Sequence, residues 1–339
     1  MSQEEHKGWR MDIAPFERPQ LKHSVWQLVN TVGPFFVLWY LAYLSLSVSY
    51  VLTLPIAMLA GGFLVRIFII FHDCCHKSFF KNRTANEIVG TFTGILTCCP
   101  YEQWRHTHSV HHATSGNLDK RGTGDIWTLT VDEYFSSPLL RRIVYRLYRN
   151  PLFMFTIGPV YIFLLDYRFN RKRAGRKERI NTYITNLGIA AGAGLLCWLI
   201  GWESFLLVQA PIFLTSGLAG IWLFYVQHQF EESYYEEEKA WDYVEAALRG
   251  SSFYKLPRVL HWITGNIGFH HIHHLSPRVP NYYLESVHNS NPQLRNVQTI
   301  TLRSSLESLK FHVWNEESKR FVGFRDLKRI RQERLLRSV

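Results

Sequence analysis

Two long stretches of this chain contain almost no charged side chain, and they limit the fold more than any other feature. Asp, Glu, Lys and Arg are absent between Lys22 and Arg66, and Glu203 alone interrupts a second such stretch from Ile180 to Phe230. About 20 apolar residues in a helix cross a bilayer, so each stretch has room for two spans in tandem. We predict four membrane-spanning helices near residues 27–49, 51–71, 182–201 and 205–227.

Two shorter uncharged runs, 88–101 and 151–165, do not reach the length of a span. We predict that both lie at the membrane surface or in the protein interior. Pro34 and Pro55 stand inside the first long stretch. They are compatible with membrane helices, because neighbouring helices can bond the backbone groups that a proline frees.

The distribution of Lys and Arg predicts which parts of the chain are cytoplasmic. The turns near residues 50 and 202 carry no basic residue, whereas the N-terminus, residues 72–181 and residues 228–339 carry nearly all of them. Basic residues favour the cytoplasmic side of a membrane. We therefore expect a multi-pass integral membrane protein with a single membrane-embedded domain over residues 1–339, whose cap is formed by 72–181 and 228–339 in the cytoplasm.

The net charge of +11 does not indicate a nucleic-acid partner, because the basic residues lie next to hydrophobic segments. The basic segment 168–179 directly precedes the third span and predicts contact with anionic lipid headgroups, with a solvated face as the alternative. Residues 139–149 alternate Leu, Ile and Val with Arg, a pattern suited to the membrane interface. The basic tail 319–337 is expected to cover the cytoplasmic part.

Three clusters beside the hydrophobic stretches place half of the 16 histidines at i, i+3 and i+4 spacings. Side chains three and four residues apart share one face of a helix and can converge on a metal ion. Imidazole nitrogen suits iron, zinc and copper, and eight imidazoles are too many for one ion. The clusters therefore predict a site for two transition-metal ions, with ligands His72, His76, His108, His111, His112, His270, His273 and His274.

Two further histidines in these clusters have the wrong spacing for ligation. His106 and His271 would point away from the ligand face of a helix, so we predict surface or supporting roles for them. The first cluster, HDCCH, also approaches the zinc-protease pattern H-E-x-x-H. That chemistry needs Glu as general base at the second position, and Asp73 is one methylene too short. On a helix we expect Asp73 to point away from the face that His72 and His76 share.

These motifs resemble the three histidine boxes of the membrane fatty acid desaturases, most closely the acyl-lipid desaturases of bacteria and plastids. The resemblance is carried by HDCCHKSFF, by HSVHHATSGNLDKRGTGDIW and by NIGFHHIHHLSPRVPNYYL. It implies an all-α integral membrane protein in which four transmembrane helices carry a cytoplasmic helical cap with a histidine-ligated di-metal site. It implies two Fe ions and a ninth ligand at the end of the fourth span, where His228 stands. Some relatives add an Asn four residues earlier; here that residue is Phe224, so Asn266 or Gln227 would have to replace it.

The resemblance also implies a reaction: dioxygen and two electrons are used to insert a cis double bond into the acyl chain of a membrane lipid. No dinucleotide fingerprint is evident, so the electrons would come from an external donor such as a ferredoxin or a cytochrome b5. A related di-iron hydroxylase or ketolase is the first alternative. A histidine-rich metal transporter or sensor is the second, although its ligands would be expected near the bilayer midplane.

Metal-bound imidazoles usually donate their other N–H to a carboxylate or carbonyl. The sequence offers candidates for this role without ranking them: Glu102, Asp119, Asp125, Glu231 and Asp242. The acidic run 231–238 as a whole is more typical of a solvated face than of ligands. Four aromatic residues near the boxes are expected either to line an acyl tunnel or to pack in the core or interface: Tyr101, Trp104, Trp127 and Trp262.

Overall fold

The computed structural model describes residues 12–337, and most of them are helical. The α-helices of six or more residues are α1 (Leu21–Ser45), α2 (Tyr50–His76), α3 (Arg83–Leu96), α4 (Tyr101–Thr114), α5 (Val131–Ser136), α6 (Leu139–Tyr148), α7 (Arg176–Ile200), α8 (Trp202–His228), α9 (Tyr243–Arg249), α10 (Arg258–Ile263), α11 (His270–Leu275), α12 (Leu284–Ser290) and α13 (Asp326–Arg337). The strands are β1 (Phe253–Lys255), β2 (Thr299–Thr301), β3 (Val313–Asn315) and β4 (Arg320–Val322).

Within this part of the chain, four helices are long and apolar enough to cross a membrane: α1, α2, α7 and α8. They overlap the four predicted spans, but α1 and α7 each begin six residues before the predicted start, and α1 ends at Ser45, before the predicted end at residue 49. The reason is local: the Ser49 hydroxyl caps α2 by accepting a hydrogen bond from the Val51 N–H (3.2 Å), so the preceding residues form the turn. At its other end α2 continues five residues beyond residue 71, to His76.

The second helix holds the stem of the molecule together. It packs against α1 on one side and α8 on another, while α7 contacts α8. A glycine permits the closest approach to α8, since a Cβ at Gly61 would lie 2.8 Å from Thr215 Cβ and 2.9 Å from the Ile212 carbonyl oxygen. The outward faces expose large apolar side chains, as expected of helices surrounded by lipid: examples are Val37, Leu52, Leu187 and Trp198.

The remaining helices and strands form a cap at one end of the stem, and the cap corrects the all-α prediction. β1 and β2 pair in parallel, and β3 and β4 pair antiparallel, giving two sheets of two strands each. Each strand has only three residues. Runs this short carry no recognisable alternation of apolar and polar residues, so the sequence pattern could not indicate them.

The apolar run 151–165 is helical but is not one of the four long helices. It lies in a segment, 151–168, that contains two stretches of π-helix, Phe153–Ile157 and Tyr161–Leu165. Its inner side packs on α8: the ring centroids of Phe155 and Trp222 are 5.3 Å apart. Its outer side exposes Leu152 and Ile157. The segment therefore lies against the stem and is not one of the four long apolar helices.

Part of the basic segment 168–179 bonds to the protein itself. Arg168 donates to Asn186 Oδ1 (2.6 Å), Arg171 pairs with Glu178, and Lys177 pairs with Glu87. Other basic side chains of this segment are exposed, and the predicted contact with lipid headgroups would fall to them: Lys172, Arg173 and Arg176. The C-terminal helix α13 buries Leu327 and Ile330 against the cap, which agrees with the expectation that the tail covers it.

Candidate metal centre

The first pair of predicted ligands lies at the inner end of α2, where this helix enters the cap. His72 and His76 are one turn apart and their ring centroids are 4.7 Å apart. The helix ends at the next residue, Lys77, whose backbone is left-handed (φ 58°). Both imidazoles therefore belong to the last turn of a membrane-crossing helix, a rigid support for a ligand pair.

Two cap helices and the end of α8 supply the other predicted ligands. The second cluster lies on α4, and α11 is formed almost entirely by the third. His228 is the last residue of α8, and its ring centroid is 4.9 Å from that of His111 and 4.8 Å from that of His270. Boxes separated by many residues in sequence thus meet at one end of the four long helices.

The imidazoles form two adjoining groups of possible metal ligands, and within each group the ligand atoms all lie within 4.8 Å of one another. The second group contains His111, His228 and His274. His270 adjoins it, because its Nε2 lies 3.0 Å from Nε2 of His228. The first group contains five members: His72, His76, His108, His112 and His273.

The nitrogen atoms of these groups are arranged as a cation would require. Nε2 of His112 lies 3.1 Å from Nε2 of His108 and 2.9 Å from Nε2 of His273. A single N–H proton on Nε2 of His112 could form a hydrogen bond to only one of these two nitrogens. Three other Nε2 atoms are buried with no hydrogen-bond partner among the described residues: those of His76, His111 and His274. Buried nitrogens without partners are costly unless something occupies the space between them, and metal ions would satisfy all of these lone pairs.

Burial also sets the protonation state of the cap histidines. Removal from water, followed by the proximity of other imidazoles, lowers the pKa of His108, His112, His270, His273 and His274 well below 6.5. These rings are neutral at pH 7. Neutral imidazole is the form that binds metals, so the site is ready to accept a cation without losing protons first.

Three groups orient the rings from outside. Asp125 Oδ1 accepts a hydrogen bond from Nδ1 of His111 at 2.5 Å, and the Gly250 carbonyl accepts one from Nδ1 of His228 at 3.1 Å. Asp73 Oδ1 lies 3.1 Å from Nδ1 of His72. Each contact occupies Nδ1 and leaves Nε2 directed into the cluster, the arrangement expected of metal-bound histidine.

The structure distinguishes the five carboxylates proposed for this orienting role. Asp125 performs it; the other four do not. Glu102 pairs with Arg105 and Lys177, Asp119 accepts from the backbone N–H of Glu238, Glu231 lies near Arg320, and Asp242 caps α9. The acidic run 231–238 forms ion pairs with Arg320, Lys319 and Lys120 and supplies no ligand.

Asp73 was missed, and the expectation that it points elsewhere is wrong. It follows His72 directly on α2, where adjacent side chains diverge by about 100°. Its carboxylate is nevertheless held beside the ring, because Oδ2 accepts hydrogen bonds from the backbone N–H and the side chain of Asn281 at 2.7 and 2.8 Å. Asn281 is more than 200 residues away, and no local pattern indicates such a contact.

His106 and His271 lie outside the cluster, as their spacing predicts. His106 is exposed. His271 is buried but faces away from the cluster, with Nε2 3.2 Å from Nδ1 of His288 and 3.0 Å from the Leu294 carbonyl oxygen. Neither belongs to a group of possible ligands.

A phenylalanine stands where some relatives place a further polar ligand. The Phe224 ring centroid is 5.2 Å from those of both His111 and His228. The proposed replacements do not face the cluster: the Gln227 amide donates to the Ile267 carbonyl (2.8 Å), and the Asn266 amide donates to that of Asn281 (3.3 Å). The second group, together with the adjoining His270, therefore has four histidines and an apolar wall.

Of the four aromatic residues considered for an acyl tunnel, Trp104 stacks on a predicted ligand, with its ring centroid 4.0 Å from that of His108. Tyr101 packs against Phe71 and donates to the Cys74 carbonyl. Trp127 packs against Tyr145. Trp262 lies under the guanidinium of Arg66 at 4.1 Å. Packing accounts for these last three, and Trp104 remains a candidate for the tunnel.

Comparison with known proteins points to one family. The sequence profile described as fatty acid desaturase matches residues 48–300. A protein named fatty acid desaturase from Bacillus subtilis (strain 168) is 61% identical over 318 residues, covering 94% of this chain and 90% of that protein. A chloroplastic omega-6 fatty acid desaturase of Arabidopsis thaliana is 29% identical and covers 70% of this chain and 53% of its own length. An sn-1 acyl-lipid omega-3 desaturase (ferredoxin) of Nostoc is 26% identical, with 67% of this chain and 64% of that protein covered.

Proposed function

The chain belongs to the fatty acid desaturase family, and we propose from this membership that it inserts a cis double bond into the acyl chain of a membrane lipid, using dioxygen and two electrons. The observation that carries the proposal is the convergence of histidines from all three boxes and from His228 in two adjoining, buried groups at the end of four long apolar helices. An acyl chain from a bilayer could reach a histidine site at that position.

The residues fit two iron ions. Nitrogen donors of intermediate softness suit iron, and the buried Nε2 atoms of His76, His111 and His274 have no hydrogen-bond partner among the described residues. His72, His76, His108, His112 and His273 would hold one ion. His111, His228, His270 and His274 would hold the other. When bound, the ions supply the dioxygen chemistry by which two hydrogens are removed from adjacent methylenes.

The protein's own groups prepare this site. Asp125 and the Gly250 carbonyl keep a proton on Nδ1 of His111 and His228, so Nε2 remains available. Burial of the rings excludes water, which protects a reactive centre from side reactions. Phe224 and Trp104 add apolar surface next to the ligands, as a hydrocarbon substrate requires.

The partners follow from the site and from the relatives. The substrate is proposed to be an acyl lipid, as the name of the Nostoc relative states for that protein. The electrons are proposed to come from an external carrier of the ferredoxin or cytochrome b5 type, which a basic cap facing the cytoplasm would attract. The single-domain organisation over residues 1–339 and the cytoplasmic position of the cap are part of this proposal.

Expression in a host with simple saturated and monounsaturated lipids, followed by mass spectrometry of double-bond positions, tests the reaction. We expect a new double bond with the native chain. His111→Ala and His273→Ala each remove a ligand from a different group, so we expect loss of at least 100-fold in the new unsaturation and of bound iron, with membrane insertion unchanged.

His106→Ala is the matched control, because the same residue type is removed from the same helix α4 at an exposed position. It should retain both iron and product. A hydroxylated or ketone product from the native chain would instead support the related hydroxylase or ketolase, and full activity of His273→Ala would remove that residue from the ligand set.

A further inference from the structure

The cap contains a basic groove that the proposed reaction does not use. The groove lies between α6 and α13, has a volume of about 420 Å³, and adjoins a second cavity of about 440 Å³. Both volumes fall within the range of small-molecule sites. Five basic side chains line the first cavity: Arg142, Arg146, Arg325, Lys328 and Arg331. We refer to it as the α6–α13 groove.

Its positive charge is not neutralised by the protein. No acidic residue lines either cavity in the described part of the chain. Arg142, Arg325, Lys328 and Arg331 form no ion pair within residues 12–337, and Nε of Arg142 is buried without a hydrogen-bond partner there. These unpaired cations, gathered on one concave surface, create a positive potential that attracts anions.

Other basic residues of α13 show the contrast. Arg334 pairs with Asp132 and Glu317, and Arg329 lies near Asp326 and Glu333. The C-terminal helix is therefore not short of carboxylates. They lie beside Arg329, which lines neither cavity, and beside Arg334, which lines only the second cavity; none of the described carboxylates pairs with a basic residue of the groove.

Aromatic residues fix one of the cations in position. Nε of Arg146 donates to the Tyr134 hydroxyl (2.7 Å), and its guanidinium carbon lies 4.6 Å from the centroid of the Phe324 ring. A guanidinium held in this way has terminal N–H groups free for a bidentate contact with phosphate oxygens, at a lower cost in side-chain entropy than a mobile lysine.

The apolar face of α6 places the groove at the membrane surface. Five large apolar residues of this helix are exposed: Leu139, Leu140, Ile143, Val144 and Leu147. At 100° per residue, Arg142 and Arg146 lie on the flank of that face. The chain then continues into residues 151–168, which pack on α8. With the apolar face of α6 in the bilayer interface, the flanking cations lie at the depth of the lipid headgroups.

We propose that the α6–α13 groove binds the phosphate of an anionic phospholipid headgroup and so attaches this part of the cap to the bilayer. An acidic carrier protein would satisfy the cations but would leave the neighbouring apolar face of α6 in water, whereas a lipid satisfies both. The inference depends on the four membrane-spanning helices and not on the proposed desaturase reaction.

The full-length protein in neutral detergent, titrated with dihexanoyl phosphatidylglycerol and with dihexanoyl phosphatidylcholine in a calorimeter, tests the proposal. We expect the native chain to prefer the anionic lipid. In the double variant Arg142→Gln/Arg331→Gln its affinity should fall about 25-fold, because each basic residue near an anionic lipid contributes roughly five-fold. Arg142→Lys/Arg331→Lys keeps the charge and should retain most of the affinity, which separates lost charge from altered folding.

Arg141→Gln/Arg329→Gln is the matched control, since it removes the same charges from the same two helices outside the groove, and it should bind like the native chain. Equal affinity of the native and Arg142→Gln/Arg331→Gln proteins would overturn the proposal. Displacement of the lipid by equimolar inorganic phosphate would also overturn it. The same holds if the protein shows no lipid preference but binds an acidic ferredoxin through the groove.

Discussion

At the scale of single residues, the chemistry of this centre depends on which nitrogen of each imidazole faces the others. Either ring nitrogen of a histidine, Nδ1 or Nε2, can bind a metal ion. Here Asp125, Asp73 and the Gly250 carbonyl occupy Nδ1 of three rings, and the Nε2 atoms converge. These three contacts to Nδ1 atoms thus help to decide whether the nine histidines direct their Nε2 atoms toward a common metal centre.

Asp125→Asn tests this effect on one ring. The amide keeps the size of the side chain but can present its NH₂ group to His111 instead of an acceptor, and it removes the negative charge that favours Nδ1–H. We expect metal affinity or activity to fall about 10- to 100-fold. Iron content of the purified protein and the yield of new double bonds measure this.

Asp119→Asn serves as the control for that substitution, because Asp119 is in the same loop and accepts from the backbone of Glu238. It should keep its iron. If the two variants lost iron to the same extent, the contact between Asp125 and His111 would have no special role in holding the metal.

At the scale of helices, the position of the site depends on how closely α2 approaches α8. These helices carry His72, His76 and His228, and they are in close contact at Gly61. Membrane helices pack through small residues because lipid provides no hydrophobic force to drive them together. The glycine therefore contributes to the alignment of ligands a few turns away.

Gly61→Ala places a methyl group where the structure has no room for one. The added Cβ would lie 2.9 Å from the Ile212 carbonyl oxygen, so the helices must separate. We expect a loss of about 1–3 kcal/mol in stability and a lower melting temperature in detergent. Gly192→Ala in α7, where nothing lies within 4 Å, should leave the melting temperature unchanged or raise it. Equal behaviour of the two variants would contradict this account of the packing.

At the scale of the whole molecule, burial of so many neutral imidazoles links stability to pH. An unfolded histidine has a pKa near 6.5, whereas burial lowers the pKa of five cap histidines, His108, His112, His270, His273 and His274, well below that value. Burial also lowers the pKa of His271 to about 3 and that of His312 to about 4. Seven described side chains of the cap therefore resist protonation in the folded state.

The sign of the pH effect follows from proton uptake. Above pH 6.5 folded and unfolded chains are both neutral at these histidines, and their contribution is fully present. Below pH 6.5 the unfolded chain binds protons that the folded chain excludes, so stability falls with the pH until the folded pKa values are reached. We expect the chelator-treated protein to melt at progressively lower temperature between pH 7 and pH 5. A melting temperature that is constant over this range would contradict the prediction.

The sequence by itself predicted the four long apolar helices and the histidines that the structure brings together. A bilayer cannot solvate charge, so the uncharged runs fixed four helices. The 3.6-residue period fixed which histidines share a face, and placed His106 and His271 outside the site. The sequence did not predict the turn at residues 46–49 or the three-residue strands. The turn depends on one helix cap, and each strand depends on pairing with one other short strand.

The tertiary structure alone decided how the faces meet. Neighbours in one box are divided between the two groups, with His111 apart from His108 and His112. Asn281 turns Asp73 toward His72, Phe224 closes the side where a polar ligand was considered, and α13 meets α6 to form the basic groove. Each of these contacts joins residues far apart in the chain. Local periodicity carries no information about such distances, and they are set by the packing of whole helices.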